Sequence, residues 1–329
     1  MNKMKKIGLS ALAGSLVALS SATAGEMAVS GSAGITFGNS NEGKNGTYHT
    51  MGNSINFDGS GELDNGMTVS LNVEFDGDEG DDGEGLDNHS ITIDTNGMGV
   101  VKFVGHGGAG VLDAWDDKMP TAYEEPWDAV AGADSSRING AGDNDAFGYT
   151  SPEFNGVTFL ASYSSGQMSD GSTGAAITSG QKSVYTDWGV QYTGVEGLTV
   201  GYAEGTTEDT AAVENDESTI FVTYAFGPVT VGAQRSDFDS STNANDKESE
   251  GFGISYAVND DLSISYGVHT IDFDVAKSGG NSDQESSAIG FSYSMGSIYF
   301  GGTMNDVDNV AGAAATDREG YEFHLSFAF

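Results

Sequence analysis

The sequence predicts an all-β chain: a transmembrane, antiparallel, up-and-down β-barrel of about sixteen strands. Three observations predict it. Apolar and polar residues alternate with a period of two almost throughout. Short turns and long polar loops follow one another strictly along the chain. A segment with the features of an export signal precedes the first strand.

That segment is residues 1–24, and residues 25–329 are read as the barrel. Lys3, Lys5 and Lys6 form a positive n-region, and Ile7 to Leu19 a short apolar stretch. Ala22-Thr23-Ala24 is an A-x-A cleavage site. The strands follow. Val29, Gly31, Ala33, Ile35 and Phe37 share one face, with Ser30, Ser32, Gly34 and Thr36 on the other. Met67, Val69, Leu71, Val73 and Phe75 alternate with Thr68, Ser70, Asn72 and Glu74. Val157 to Tyr163, Leu198 to Tyr202, Ile220 to Phe226, Phe252 to Val258 and Leu262 to Val268 repeat the pattern. Ile289 to Met295 and Ile298 to Met304 lead to the closing Tyr321, Phe323, Leu325, Phe327 and Phe329. Strands of about ten residues cross a bilayer when tilted.

Between the strands stand tight turns at Asp64-Asn65-Gly66, Thr95-Asn96-Gly97, 194–197, Gly227-Pro228, Asn259-Asp260-Asp261 and Gly296-Ser297. Asn-Gly, Gly-Pro and Asp-rich pairs supply the backbone conformations that hairpin turns need. Longer polar loops are expected at 39–49, 76–87, 106–143, 164–182, 205–217, 237–249, 274–283 and 305–319.

Composition removes other classes. The 329 residues carry 12 Lys+Arg against 49 Asp+Glu, a formal net charge of −37, and no Cys. Phosphate binding needs clustered bases, so no nucleic-acid partner is expected. Without Cys there is no disulfide scaffold and no thiolate metal site. Mean hydropathy is −0.28, and no long uncharged apolar run follows the first residues, which argues against a helical membrane protein.

Alternation alone does not say whether the apolar face meets a core or lipid. A soluble sandwich would pack two such faces together. Even strand lengths, sustained short-long connections, the export signal and aromatics near strand ends favour the barrel. In lipid every backbone polar group must be paired, which a closed barrel achieves. About sixteen strands leave an aqueous lumen.

With these features the chain resembles the general porins of Gram-negative outer membranes, of the alphaproteobacterial, Rhodobacter-like type. The resemblance rests on the signal segment, the alternating strands, the long third loop and the ending Tyr321-Glu322-Phe323-His324-Leu325-Ser326-Phe327-Ala328-Phe329. It implies a sixteen-stranded homotrimeric barrel in outer-membrane lipid and passive diffusion of small hydrophilic solutes and ions. It implies that Tyr321, Phe323, Leu325, Phe327 and Phe329 form the signal read by the insertion machinery. It also implies that the third extracellular loop folds into the lumen and narrows it.

By position, residues 106–143 are that loop. Structureless loops beyond about 12–15 residues are usually functional or disordered. Val111, Leu112, Trp115, Met119, Tyr123, Trp127 and Val130 give this one apolar anchors, with Pro120 and Pro126. The expected pore constriction comprises Asp113, Asp116, Asp117, Lys118, Glu124, Glu125, Asp128 and Arg137, with Lys102 from the wall. In the family, loop carboxylates face a wall of Arg and Lys. Here the wall is poor in bases, and Arg235 points outward or sits at the rim. Asn56, Asp58, Ser60, Glu62, Asn72, Glu74 and Asp94 have lumen parity. The charge excess is therefore expected in the loops, the lumen face and the constriction, with almost none facing lipid. Rings of Asp and Glu concentrate cations and repel anions, so a cation-preferring pore is expected.

No cofactor is expected, calcium being the one candidate ion. Asp76, Asp78, Asp81, Asp82 and Asp87 lie in a Gly-rich run whose carboxylates suit a hard cation. The spacing does not match an EF-hand, and the one nonapeptide-like fragment has no stacking neighbour. The second reading of the chain is accordingly a secreted, acidic, calcium-binding surface or adhesion β-protein. An enzyme is not expected. The histidines are scattered, no HExxH, GxSxG or P-loop occurs, and His324 reads as lumen lining.

Overall fold

The computed structural model describes residues 25–40, 46–77, 86–135, 138, 145–164, 184–210, 213–241, 246–274 and 282–329. The signal segment 1–24, Asp78, Asp81, Asp82 and Arg137 lie outside the described residues. Sixteen strands form one closed barrel. They are β1 (Glu26–Asn39), β2 (Thr47–Glu62), β3 (Thr68–Asp76), β4 (Asn88–Asp94), β5 (Val100–His106), β6 (Ala146–Thr150), β7 (Val157–Ser164) and β8 (Val184–Tyr192). The second half comprises β9 (Leu198–Thr210), β10 (Val213–Phe226), β11 (Val229–Ser240), β12 (Lys247–Ala257), β13 (Leu262–Phe273), β14 (Gln284–Met295), β15 (Ile298–Asp308) and β16 (Arg318–Ala328). One turn of helix, α1 (Val111–Ala114), lies in the connection after β5. Among the described residues, no helix is long and apolar enough to cross a membrane.

Each strand pairs antiparallel with its sequence neighbours, and β16 returns to β1 with Ser32 opposite Ala328 and Asn39 opposite Tyr321. Reciprocal backbone bonds between Gly31 and Phe329, at 2.8 and 2.9 Å, lock the seam. Among the described residues each strand is paired on both sides, as a bilayer requires. The short turns all fall at one end. Asn96 (φ 56°) and Gly97 (φ 117°) fill left-handed positions in the β4–β5 turn, which is why an Asn-Gly pair stands there.

The expected alternation is observed. Ile55, Phe57, Leu71, Ile91, Phe147, Tyr202, Ile220, Tyr266, Ile289 and Phe327 are exposed on the outer face. Tyr321, Phe323, Leu325 and Phe327 share the outward parity of β16. Asp58, Glu74, Lys102 and His324 point inward, and Arg235 outward.

One expectation is corrected. Residues 205–217 and 237–249 are not long loops but mostly strand, because β9 through β12 continue past the apolar band. Their polar ends look like loop in a sequence, yet a ladder continues while its side chains are solvated. The extension puts carboxylates on outward parity. Glu204, Ser218, Asp237, Glu248 and Asp272 form one row across β9 to β13, one step beyond Tyr202 and Ile220. Arg235 lies just below, 2.5 Å from Glu248. The outer face therefore does carry charge, part of it level with its aromatic residues: Glu204 lies opposite Trp188 and accepts from Trp188 and Tyr202, and Glu250 lies opposite Arg235.

Candidate functional site

The site is the lumen, and the connection after β5 shapes it. This segment runs along the inner wall from β8 to β16. A track of inward-facing glycines receives it. A Cβ on Gly189 (β8) would stand 2.7 Å from the Trp115 ring, and one on Gly205 (β9) 2.8 Å from Leu112. On Gly232 (β11) it would meet Pro120 at 2.6 Å, on Gly251 (β12) Met119 at 2.0 Å, and on Gly320 (β16) the Ala129 carbonyl at 1.9 Å. Without side chains these positions let loop and sheet approach closely.

The loop's apolar anchors fill the space so made. Val111, Leu112, Trp115 and Ile138 are buried with Ala203 and Phe221, and Leu160 packs against them. A second group joins Val130 to Val307 and Val310. Trp127 lies on His269, ring centroids 4.2 Å apart.

Polar anchors fix the register. The buried carboxylate of Asp187 on β8 accepts the first two amides of α1, from Val111 at 2.6 Å and Leu112 at 2.9 Å. The Tyr185 hydroxyl donates to it at 2.6 Å, and the Ser162 hydroxyl donates to its other oxygen. Free amides at a helix start need such an acceptor. Gln234 on β11 accepts from the Lys118 amide at 2.6 Å and donates to the Trp115 carbonyl at 2.7 Å. Gln284 on β14 exchanges two bonds with the backbone of Asp134. Asn305 on β15 donates to the Glu125 carbonyl at 2.7 Å. Glu322 on β16 accepts from the Tyr123 hydroxyl and from Tyr48 on β2, each at 2.6 Å.

The expected constriction residues divide among several environments. Glu124, Glu125 and Asp128 come together, with ligand atoms all within 4.8 Å of one another. Burial, with Asp128 close by, pushes Glu124 up to about 8. Burial pushes Glu125 up to about 8 as well, opposed by a bond from Asp128 and reinforced by Asp117. Asp128, at the exposed edge, is pushed up to about 7 by burial and Glu125. Asp117 is also raised, chiefly by burial. One of its oxygens accepts the Met119 amide, and a bond from Glu125 opposes the rise. Such an all-oxygen group holds either protons or a hard cation. Asp116 faces a small cavity behind the loop with His269, and Asp113 is exposed beside Gly108 and Gly110. Lys102 reaches the Gly108 carbonyl at 3.5 Å.

The wall across from the loop is set by β2 to β4. Asn72 donates to Asp58 at 2.8 Å, while Asn56 and Asn88 donate to Glu74 at 3.2 and 3.3 Å. Glu62 and Asp94 stand at the short-turn rim, where Asp94 accepts the Asn96 amide. Asp76 ends β3, and Asp87 accepts a bond from Asn88.

The sequence matches the family described as Gram-negative porin over residues 8–309. The chain belongs to that family. As a porin it forms a channel for small solutes in the outer membrane of a Gram-negative bacterium. Solved structures share its fold. An anion-selective porin from Comamonas acidovorans superposes with a TM-score of 0.67 at 16% identity, covering 93% of this chain and 100% of that one. OmpT of Vibrio cholerae, in a trimer form, gives 0.68 at 14% identity with the same coverage. A mutant of the Rhodobacter blastica porin gives 0.62 at 17% identity, covering 92% of this porin and 100% of its own chain. No curated protein matches.

Sequence reasoning placed the loop in the lumen but missed what holds it there. Asp187, Gln234, Gln284, Asn305 and Glu322 carry no local signal that sets them apart from the other polar residues of their strands. The glycines left a usable signal: in β8, β9, β11, β12 and β16 they stand at lumen parity.

Proposed function

We infer that this porin is a cation-preferring diffusion channel that assembles as a homotrimer. The charge balance of the lumen carries the first part. Asp58 and Glu74 face the pore with neutral carboxamide partners. The described bases on the inner wall are engaged elsewhere: Lys247 pairs with Asp134 at 2.7 Å, Arg318 donates to the Ala131 carbonyl, and Lys102 reaches Gly108. A water-filled passage lined this way raises the local cation concentration. The anion selectivity named for the Comamonas acidovorans porin belongs to that protein.

An asymmetry of the outer face supports the second part. Tyr and Trp mark membrane interfaces. Outward-facing Tyr149, Tyr163, Trp188, Tyr192, Tyr202, Tyr224, Tyr256, Tyr266, Tyr293 and Tyr321 all lie on β6 to β16. The outer face of β1 to β5 carries none, only residues such as Ile35, Met51, Ile55, Leu71 and Ile91. A face that lacks the interfacial residues fits contact with protein. In the same reading, residues 1–24 are removed on export, and the outward residues of β16 with Phe329 address the chain to the insertion machinery.

The test of the channel reading is the potassium-to-chloride permeability ratio of the Asp58→Asn/Glu74→Gln double variant. The ratio is expected to fall severalfold towards unity. A ratio equal to that of the unaltered channel would contradict the reading.

A further inference from the structure

Three aromatic rings meet inside the lumen, where most wall side chains are Ser, Thr, Asn or Gly. Tyr123 at the loop tip lies over Gly301, where a Cβ would stand 2.4 Å from its ring. Tyr299 of β15 and His324 of β16 flank it. The ring centroids are 6.4 Å apart for Tyr123–Tyr299, 6.3 Å for Tyr123–His324 and 6.5 Å for Tyr299–His324. All three remain partly exposed. Tyr299 and His324 point inward by strand parity, so their open surfaces face the passage.

Anchoring the loop accounts for only part of this cluster. Tyr123 serves as an anchor through Glu322. His324 is oriented by a 2.9 Å bond to Thr36. Tyr299 makes ring contacts but no hydrogen bond to loop or wall among the described residues. It adds an aromatic face that the docked loop does not need.

Most polar groups around the rings act as acceptors, the Tyr299 hydroxyl and the His324 ring N–H being the donors. Tyr48 and Tyr123 both spend their hydroxyl protons on Glu322, so they offer only lone pairs. Glu322 is a carboxylate held in place by the Tyr48 and Tyr123 hydroxyls. Ring faces attract cations through their quadrupole, and the adjacent Glu322 carboxylate adds to that attraction. A neutral sugar or an anion would forgo one or both terms.

We propose that Tyr123, Tyr299 and His324, with Glu322, form a transient binding platform for organic cations carrying an ammonium or guanidinium group on an apolar body. The platform stands on the short-turn side of the loop tip, where a cation leaving the constriction meets it. It rests on the cation-preferring reading only in expecting such solutes to reach it.

The test is single-channel recording of the intact porin with benzyltrimethylammonium as probe and benzyl alcohol as its neutral counterpart. The cation should interrupt the current in a concentration-dependent way. Tyr299→Leu should shorten its dwell time about fivefold to tenfold, while Tyr299→Phe, which keeps the ring, should stay within about twofold. Tyr299→Gln provides the same readout should the leucine variant fail to insert. Dwell times unchanged in Tyr299→Leu or Tyr299→Gln would overturn the proposal, as would equal binding of benzyl alcohol. The potassium chloride reversal potential of the unaltered channel is recorded separately. An anion-preferring channel that still shows ring-dependent block would sink the selectivity reading and leave the platform standing. A cation-preferring channel without block would do the reverse.

Discussion

Asp187 illustrates how much rests on single side chains. Its carboxylate answers the amides of Val111 and Leu112 and the hydroxyls of Ser162 and Tyr185. Truncation to Ala strands these donors, and each buried donor left unpaired costs about 1–3 kcal/mol. Asp187→Ala should therefore loosen the start of the loop by at least about 2 kcal/mol. The expected readouts are a larger, noisier conductance and protease cleavage within residues 107–135. The buried carboxylates make a second prediction at this scale. Glu124 and Glu125 are raised from an ordinary 4.5 to about 8 in the docked loop. Between those values the docked state holds more protons than a released one, so docking weakens as pH rises. The contribution is fully present below about pH 4.5 and lost by about pH 8. Current noise should therefore grow from pH 5 to pH 9, and Glu125→Gln should flatten the rise. A loop that quietens at high pH would refute this assignment.

At the scale of elements, the loop and the wall of β8 to β16 form one packed unit. Gly251→Val would drive a side chain into Met119 and should displace the loop, widening the pore and raising conductance. Gly52→Val is the control. Gly52 also points inward, but on the loop-free wall of β2, with nothing within 4 Å of its Cβ position. Equal conductances in the two variants would argue against a docked loop. The same elements show what was legible in the sequence. Period-two alternation placed Asp58, Glu74 and Lys102 in the lumen and Phe323 outside, because strand parity is a local property. That the third loop packs against something could be read from Trp115, Tyr123 and Trp127, whose size demands a partner; its inward course came from the resemblance to the family. The meeting of Glu124, Glu125 and Asp128 could not, since it depends on how the loop folds back on itself. The outward carboxylates Asp237 and Glu248 were misplaced because a solvated hairpin end and a polar loop have the same composition.

At the scale of the molecule, charge and aromatic residues divide the surface into zones. Tyr and Trp ring β6 to β16, carboxylates stand among and beyond them, and β1 to β5 stay aliphatic apart from a few Phe and His. If that last face meets neighbouring copies, a bulky residue there should disrupt assembly while remaining acceptable to lipid. Leu71→Trp on β3 should shift the detergent-solubilised porin from trimer towards monomer in analytical ultracentrifugation. Ile264→Trp on β13, at a position facing lipid, should not. Trimers of undiminished stability in Leu71→Trp would move the interface elsewhere. The excess of 49 acidic over 12 basic residues is likewise zoned. Part is gathered within the loop at Glu124, Glu125 and Asp128, part decorates the outer face, and the share that reaches the passage sits chiefly on β2 to β4. The most direct test of the account is the reversal potential of the unaltered channel across a potassium chloride gradient in a planar bilayer. The account predicts the sign set by potassium permeating faster than chloride. A reversal potential of the opposite sign would contradict it.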